Sequence, residues 1–328
     1  MNELKQFNKH IEAVAGYDMD SYDRAKLEAL LFGYFYKYSS EDWIAVDVER
    51  DIHVELDIKP YQFVGKIDTL ITDDSGELVM LEHKTTAESL DDLTKPYFRK
   101  LAYDLQVSAY HMAQFLMEEE LSHTVYDVVH KPRIRPRKLK KADVEEIESG
   151  SYCEFPLRVE LEVSAGDLEQ PILYKIRLLN EILRNPDKYY LRYDSITRTS
   201  EECVATWKFL NEIAEDIVNC KTNDRWHQNT SACSKYNTPC EYMDFCCNVG
   251  NPDDTNRWRA RKGSNLSAEH NLSVSGIQCF LTCRRKYYWR YVRRIERNRS
   301  TEPLALTFGS AFHECLESFW NSLRREKR

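Results

Sequence analysis

The hydrophobic period of this chain changes at Ala45. Before it, Leu27, Leu30, Leu31, Tyr34 and Phe35 recur at a spacing near 3.6 residues, the signature of one helical face, and residues 1–40 read as helical. From residue 45 the period shortens to two. Residues 45–56, 61–72 and 78–84 are β-branched or alternating, and Asp73-Asp74-Ser75-Gly76 supplies turn residues between the last two. Three consecutive strands predict a meander, and a meander fixes which side chains can face one another. Helical spacing returns over 97–118, a further strand is expected over 124–130, and helices over 170–186 and 200–219. Two more helices are expected over 273–295 and 308–324, separated by a loop containing Pro303. Helices flanking a small central mixed sheet define an α/β protein of the α+β kind.

Length and composition narrow the class. A chain of 328 residues accommodates one large or two ordinary domains. With 42% hydrophobic and 30% charged residues and only 10 Gly and 10 Pro, collagen-like, mucin-like and broadly disordered chains are excluded. Residues 1–248 are expected to form the core and a cysteine-rich end, 249–270 a polar linker, and 271–328 a helical segment completing the same domain. No apolar run approaches the ~18 residues that span a bilayer, and the first residues lack the basic-then-apolar pattern of a secretory signal, so a cytoplasmic location is expected.

The net charge of −8 argues against indiscriminate binding of polyanions, but two basic stretches stand out. Residues 131–141 hold seven basic side chains, including Arg133 and Arg135, and no acid. Residues 284–299 hold eight with one acid, Glu296, and begin Arg284-Arg285-Lys286-Tyr287-Tyr288-Trp289. Cations interleaved with rings suit phosphate contacts and base stacking, and they equally suit a solvated helix face.

The hairpin carries the most specific chemistry. A turn centred on Ser75 sets Asp68 opposite Glu82, and alternation puts Glu82 and Lys84 on one face. Carboxylates about 5 Å apart can share a divalent cation through oxygens at about 2.1 Å. A phosphodiester hydrolase uses such a cation to acidify water and to offset charge growing on the phosphate, with a nearby ammonium to orient the nucleophile. The ordinary alternative is a solvent-facing hairpin. Gln106 and Tyr110 are four apart on the next helix and face one way, with Tyr103 on the adjoining turn. In the last helix Phe308, Phe312, Leu316 and Phe319 form an apolar face that leaves His313 and Glu317 on another, where a neutral imidazole is a candidate ligand.

Ten cysteines without an export signal are not expected to form a disulfide framework, which makes metal ligation the question. Cys233-x₆-Cys240-x₅-Cys246 is too open for a CxxC zinc ribbon and does not follow ferredoxin spacing, so iron–sulfur, zinc and unligated thiols all remain open. Cys153, Cys203, Cys220 and Cys315 are scattered and read as small core hydrophobes.

Together, Gly65-x-x-Asp68, Glu82-x-Lys84, Gln106-x-x-x-Tyr110, Gly309-x-x-x-His313 and four separated cysteines resemble the RecB-like branch of the PD-(D/E)xK nucleases. That branch includes the iron–sulfur exonucleases of phage recombination and of CRISPR adaptation. The resemblance implies a restriction-endonuclease-like core. It implies Mg²⁺ or Mn²⁺ held by His313, Asp68, Glu82 and the backbone carbonyl of His83, with Lys84 as the catalytic lysine. Gln106 and Tyr110 would arrange the site and the DNA strand, Glu49 would be a further acid, and Arg284, Arg285, Lys286, Tyr287, Arg133 and Arg135 would guide DNA. Cys233, Cys240, Cys246 and Cys283 would hold a four-iron, four-sulfur cluster, with zinc as the alternative metal. Cys247 adjoins Cys246 and Cys279 precedes Cys283 as alternative ligands, and Arg284 stands where the family usually has proline.

The motif order departs from the family. Moving residues 264–328 ahead of Met1 restores it, which predicts a circular permutant joined near Gly263-Ser264. The alternative is a truncated nuclease followed by the start of a second copy, completing its site between chains. The expected activity is a metal-dependent DNA exonuclease of recombination, repair or phage DNA processing, in the host cytoplasm if phage-encoded. A DNA-end binding module or a weakly active helicase-associated subunit is the rival reading, and a homo-oligomer or a recombination partner stays open.

Overall fold

A computed structural model describes residues 10–12, 16–235, 238–261, 270–298 and 304–324. The junction expected near Gly263-Ser264 and the loop at Pro303 lie outside the described residues. The period change at residue 45 appears as a change of element. Helix α1 (Ser21–Lys37) starts where the Asp20 carboxylate accepts the N–H groups of Tyr22 and Asp23, and it buries Leu27, Leu30, Leu31 and Tyr34. Strands β1 (Ile44–Glu55), β2 (Gln62–Thr72) and β3 (Leu78–Thr86) then form an antiparallel meander. The pairs Thr69 with Leu81 and Thr72 with Leu78 centre the turn on Ser75, as alternation predicts. The Asp73 carboxylate holds that turn by accepting from the Ser75 and Glu77 amides.

The helix expected over 97–118 is two helices, α2 (Pro96–Ala102) and α3 (Leu105–Leu116), because Asp104 accepts the Gln106 N–H at 3.0 Å and so starts a second helix. Strand β4 (His123–His130) runs parallel to β3. There follow α4 (Lys141–Glu148), the short hairpin β5 (Ser151–Tyr152) and β6 (Phe155–Pro156), α5 (Pro171–Arg184), β7 (Tyr190–Ile196) and α6 (Ser200–Thr222). The cysteine-rich part holds β8 (Ser234–Lys235), β9 (Thr238–Pro239) and α7 (Met243–Cys246). The remainder holds β10 (Trp258–Ala260), β11 (Asn271–Leu272), α8 (Val274–Thr282), α9 (Arg284–Tyr287), β12 (Ile295–Arg297) and α10 (Leu304–Ser322).

The main sheet runs β1-β2-β3-β4-β7, with β11 added parallel to β2. Its strands bury both faces. On one side Ile52, Phe63, Ile67, Leu70, Met80, Tyr126 and Val128 meet α3, α6 and α8. On the other, Ile71, Val79, Leu81, Val125 and Val129 meet α1, α5 and α10. Helices α1 and α5 approach so closely that a Cβ at Gly33 would lie 2.4 Å from Ile182 Cγ2, which requires glycine there.

Two expectations change. The polar stretch 249–270 is more than a linker: Trp258 is buried against Tyr242 and Phe245, and β10 pairs with β12. One aromatic anchor outweighs the polar composition around it. The helix expected over 273–295 breaks at Cys283, which is extended, and ends in a π-helical turn over Tyr288–Val292 followed by β12. Strand β7 and helix α4 lacked a clear period in the sequence. Among the described residues no helix is long and apolar enough to cross a membrane.

Candidate active site

A notch in the sheet creates the site. The β2–β3 ladder runs from Thr72 only as far as Thr69, whereas the β1–β2 ladder continues to Gln62. Strand β11 takes up the vacated edge of β2 at Gln62 and Phe63. Between these two partners β2 presents Gly65, Lys66 and Asp68 to an opening. The next β3 amide, that of His83, donates to the Asp68 carboxylate at 2.9 Å. Helix α10 leans over the opening and brings His313 Nδ1 to 3.8 Å from Asp68 Oδ2. The imidazole and the hairpin acid, distant in sequence, therefore meet. On β1, Glu49 lies between the pairs Val48 with Thr69 and Arg50 with Ile67, level with Asp68. It adopts φ 52°, a left-handed conformation that costs a non-glycine residue about 1 kcal/mol and recurs at functional sites. Glu49, Asp68, Thr85, Gly309, His313 and Glu317 line a cleft of about 800 Å³.

Glu82 sits on the α3 side of the notch with 1% of its side chain exposed. Its Oε2 accepts from Lys84 Nζ at 3.1 Å and from Gln106 Nε2 at 3.2 Å, while Oε1 is buried with no hydrogen-bond partner. Burial first, and then Asp68, push its carboxyl up to about 8 despite Lys84. The orphaned Glu82 oxygen and the neighbouring Asp68 carboxylate suit a divalent cation, a hard ion that prefers oxygen; His313 approaches Asp68, but among the described residues His313, Asp68 and Glu82 do not bring one ligand atom each within 4.8 Å of one another. His313 is driven below the usual histidine range by burial, against the pull of Asp68, which favours the neutral, ligating form. For Lys84, burial acts downward but Glu82 and Asp68 prevail, and the ammonium is held charged. At Glu49, burial lifts the carboxyl against the Lys66 ammonium 3.2 Å away, with Asp68 adding repulsion.

The support for these groups comes from both faces. The Tyr110 hydroxyl accepts the Lys66 amide at 3.2 Å, and its ring lies so near β2 that a Cβ at Gly65 would meet it at 2.5 Å. Gly65 is thus a close-approach glycine, whereas a Cβ at Gly309 would make ordinary contact. Tyr103 is exposed at the corner between α2 and α3. The His83 side chain turns to the other face, where Nδ1 meets Asp127 Oδ2 at 2.7 Å. Asp127 also accepts from Tyr34 at 2.6 Å and faces Arg192 at 3.4 Å. Asp127 and Arg192 brace His83 from behind. Sequence reasoning missed both, although an acid inside the apolar run 124–130 is a signal that a buried partner exists. At the turn end of the hairpin, Asp73, Glu77 and His123 bring three potential ligand atoms within 4.8 Å, but Asp73 is engaged in the turn and Glu77 accepts from Ser122.

The residues expected to guide DNA divide. Arg133 and Arg135 are exposed, next to Lys131, whose amide bonds to the Thr86 carbonyl just beyond Lys84. Residues 284–287 face elsewhere, whereas Tyr291 lines a cleft with Gly65 and Gln106. Tyr287 is 5% exposed and packs against Phe280, Trp226 and Tyr291, which corrects its reading as a base-stacking residue: its ring belongs to the core. Arg284 pairs with Asp216 at 2.6 Å. Arg285 and Lys286 lie among thiols, where they oppose the burial that raises Cys246 and Cys240 respectively. Cys283, Cys240 and Cys233 each add to the electrostatic field that raises the Cys246 thiol; Cys247 is exposed. Cys279 lies beside Cys283 and Cys240. Zinc bound to four sulfurs at 2.3 Å would hold them about 3.8 Å apart. Among the described residues no three thiols lie within 4.8 Å of one another.

The family model of the PD-(D/E)XK nuclease superfamily matches residues 3–247 and 271–328. These stretches contain Asp68, Glu82, Lys84, Gln106, Tyr110 and His313. No curated protein and no solved structure matched the chain. Nucleases of this superfamily act on DNA with divalent metal ions. The chain belongs to the PD-(D/E)XK nuclease superfamily.

Proposed function

We propose that the chain is a Mg²⁺- or Mn²⁺-dependent DNA exonuclease of the RecB-like iron–sulfur kind, acting on ends or single strands in recombination, repair or phage DNA processing. The observations that carry the site are the orphaned Glu82 Oε1, whose carboxylate Lys84 meets through the other oxygen, and the Asp68 carboxylate, which His313 approaches at 3.8 Å. His313, Asp68, Glu82 and the His83 carbonyl would hold the ion, which when bound supplies an acidified water and neutralises charge at the phosphate. Gln106 fixes one oxygen of Glu82 and leaves the other for the ion. Lys84 offers a persistent positive charge to a phosphate oxygen as charge grows there, at a place where burial strengthens the interaction. Arg133 and Arg135 are suited to holding the backbone near that point.

The thiols of Cys233, Cys240, Cys246 and Cys283 favour a four-iron, four-sulfur cluster, tying the ends of the chain together. No three of these thiols lie within 4.8 Å of one another among the described residues, which is looser than four-sulfur zinc requires, and the cations of Arg285 and Lys286 would offset the cluster's thiolates. The family match in two stretches, with β11 and α10 completing the sheet and site of the first, supports a circular permutation. Purified protein is expected to be brown and to contain iron and acid-labile sulfide; a colourless protein carrying one zinc would replace the cluster by zinc. For the nuclease, labelled single- and double-stranded DNA with blocked 5′ or 3′ ends should be degraded with Mg²⁺ or Mn²⁺. Asp68→Ala and Lys84→Ala should each lose on the order of 10²–10³-fold in rate. Cleavage that survives both substitutions removes the site. Retention of DNA without turnover in Mn²⁺ would favour a DNA-end binding module instead.

A further inference from the structure

On the α3 side of the notch lies a second cleft, of about 440 Å³, whose walls include Gly65, Lys100, Gln106, Tyr110, Arg261 and Tyr291. It shares Gln106 with the acids, because that amide is the one bonded to Glu82. The volume equals that of a cube about 8 Å on a side, a space on the scale of one nucleotide and smaller than a duplex, whose major groove alone is ~12 Å wide.

Arg261 is the unusual wall residue. Its guanidinium carbon stands 4.8 Å from the centre of the Tyr291 ring. Tyr291 is in turn stacked on Tyr287 at 5.0 Å and 19°, and Tyr287 on Trp226 at 20°. A pile of rings thus fixes the plane of the guanidinium. The backbone is fixed as well: the Arg261 amide bonds to the Arg294 carbonyl at 2.7 Å, continuing the β10–β12 ladder. Despite this order, Arg261 pairs with no carboxylate among the described residues, and its Nη1 is buried with no hydrogen-bond partner. A pre-oriented guanidinium with unused donors is what a phosphate requires. Asp104, the acid in the cleft, already accepts the Gln106 amide at the start of α3. Arg261 falls between the two stretches that match the family.

We propose that this cleft is a subsite for one phosphodiester of a single-stranded polynucleotide adjoining the scissile position, with Arg261 as its specific phosphate ligand and Lys100 as a second cation. The proposal rests on the nuclease reading for the word scissile, but its test does not. Fluorescence anisotropy with a labelled oligothymidylate in EDTA reads binding without cleavage. Arg261→Gln should weaken single-strand binding about tenfold, the loss of one charge-assisted contact. It should also reduce the slope of log affinity against log salt by about 0.7, the value for one phosphate on a single strand. Arg261→Lys keeps the charge and should restore the slope with only part of the affinity. A folded Arg261→Gln protein, judged by its unchanged melting curve, that binds with wild-type affinity and slope overturns the subsite. So does an equal loss for blunt duplex, which would mark a general surface charge. If instead Asp68→Ala and Lys84→Ala cleave normally while Arg261→Gln loses binding, the nuclease site fails and the subsite stands.

Discussion

Glu82 and Asp127 sit on neighbouring strands, equally buried, yet their carboxyl groups are driven in opposite directions. At Asp127 burial pushes upward, but Arg192, His83 and Tyr34 more than offset it and the group is held below the usual carboxylate range. At Glu82, as at Asp127, two donors share one oxygen and the other has no hydrogen bond, but here Asp68 adds repulsion that Lys84 does not offset, and the carboxyl rises to about 8. Burial therefore does not separate structural from functional acids. What separates them is the charge that faces them: the Arg192 guanidinium stands 3.4 Å from the second Asp127 oxygen, whereas Glu82 has Asp68 set against Lys84, a balance that an added cation would favour.

The largest effect that tests this contrast is on stability. Asp127→Ala removes the more deeply buried of the two carboxylates facing Arg192, leaves His83 and Tyr34 without their acceptor, and, with Glu41 still 3.2 Å from Arg192, should cost about 3 kcal/mol in urea unfolding. A cost near zero would break the comparison. The sign with pH follows from the lowered carboxyl: its contribution is present above the ordinary aspartate value near 3.9 and is lost as pH falls through the folded value. Asp127→Asn should accordingly flatten the acid end of the stability curve. A smaller effect is expected at the edge of the notch. Gly65→Ala pushes a methyl group into the Tyr110 ring and should cost about 1–3 kcal/mol, with slower cleavage as Tyr110 and Gln106 shift. Unchanged stability and rate would show that the close approach is not needed.

The hairpin was legible because alternation and a turn rich in Asp, Ser and Gly fix register without reference to the rest of the chain. The meeting of His313 with Asp68 was legible only through the family resemblance, since nothing local to either residue encodes it. Asp127 and Arg192 went unread because each appears alone in its strand, and the pairing of β4 with β7 exists only in three dimensions. Residues 284–287 misled for a related reason. Cations and rings in alternation look the same whether they face nucleic acid or, as here, thiols and a core. Arg261 was hidden by composition, because it follows a three-residue strand, Trp258–Ala260, inside a polar stretch that carries no period of its own.

The central claim is that His313, Asp68 and Glu82 hold one divalent ion. Isothermal titration of the metal-free protein with Mn²⁺ tests it directly, using Glu82→Gln, a nearly isosteric change at a buried group, alongside Asp68→Ala and His313→Ala. The account predicts a site in the wild type that disappears in Glu82→Gln and Asp68→Ala and weakens in His313→Ala while all three proteins stay folded. Wild-type Mn²⁺ affinity retained in Glu82→Gln and Asp68→Ala would contradict it.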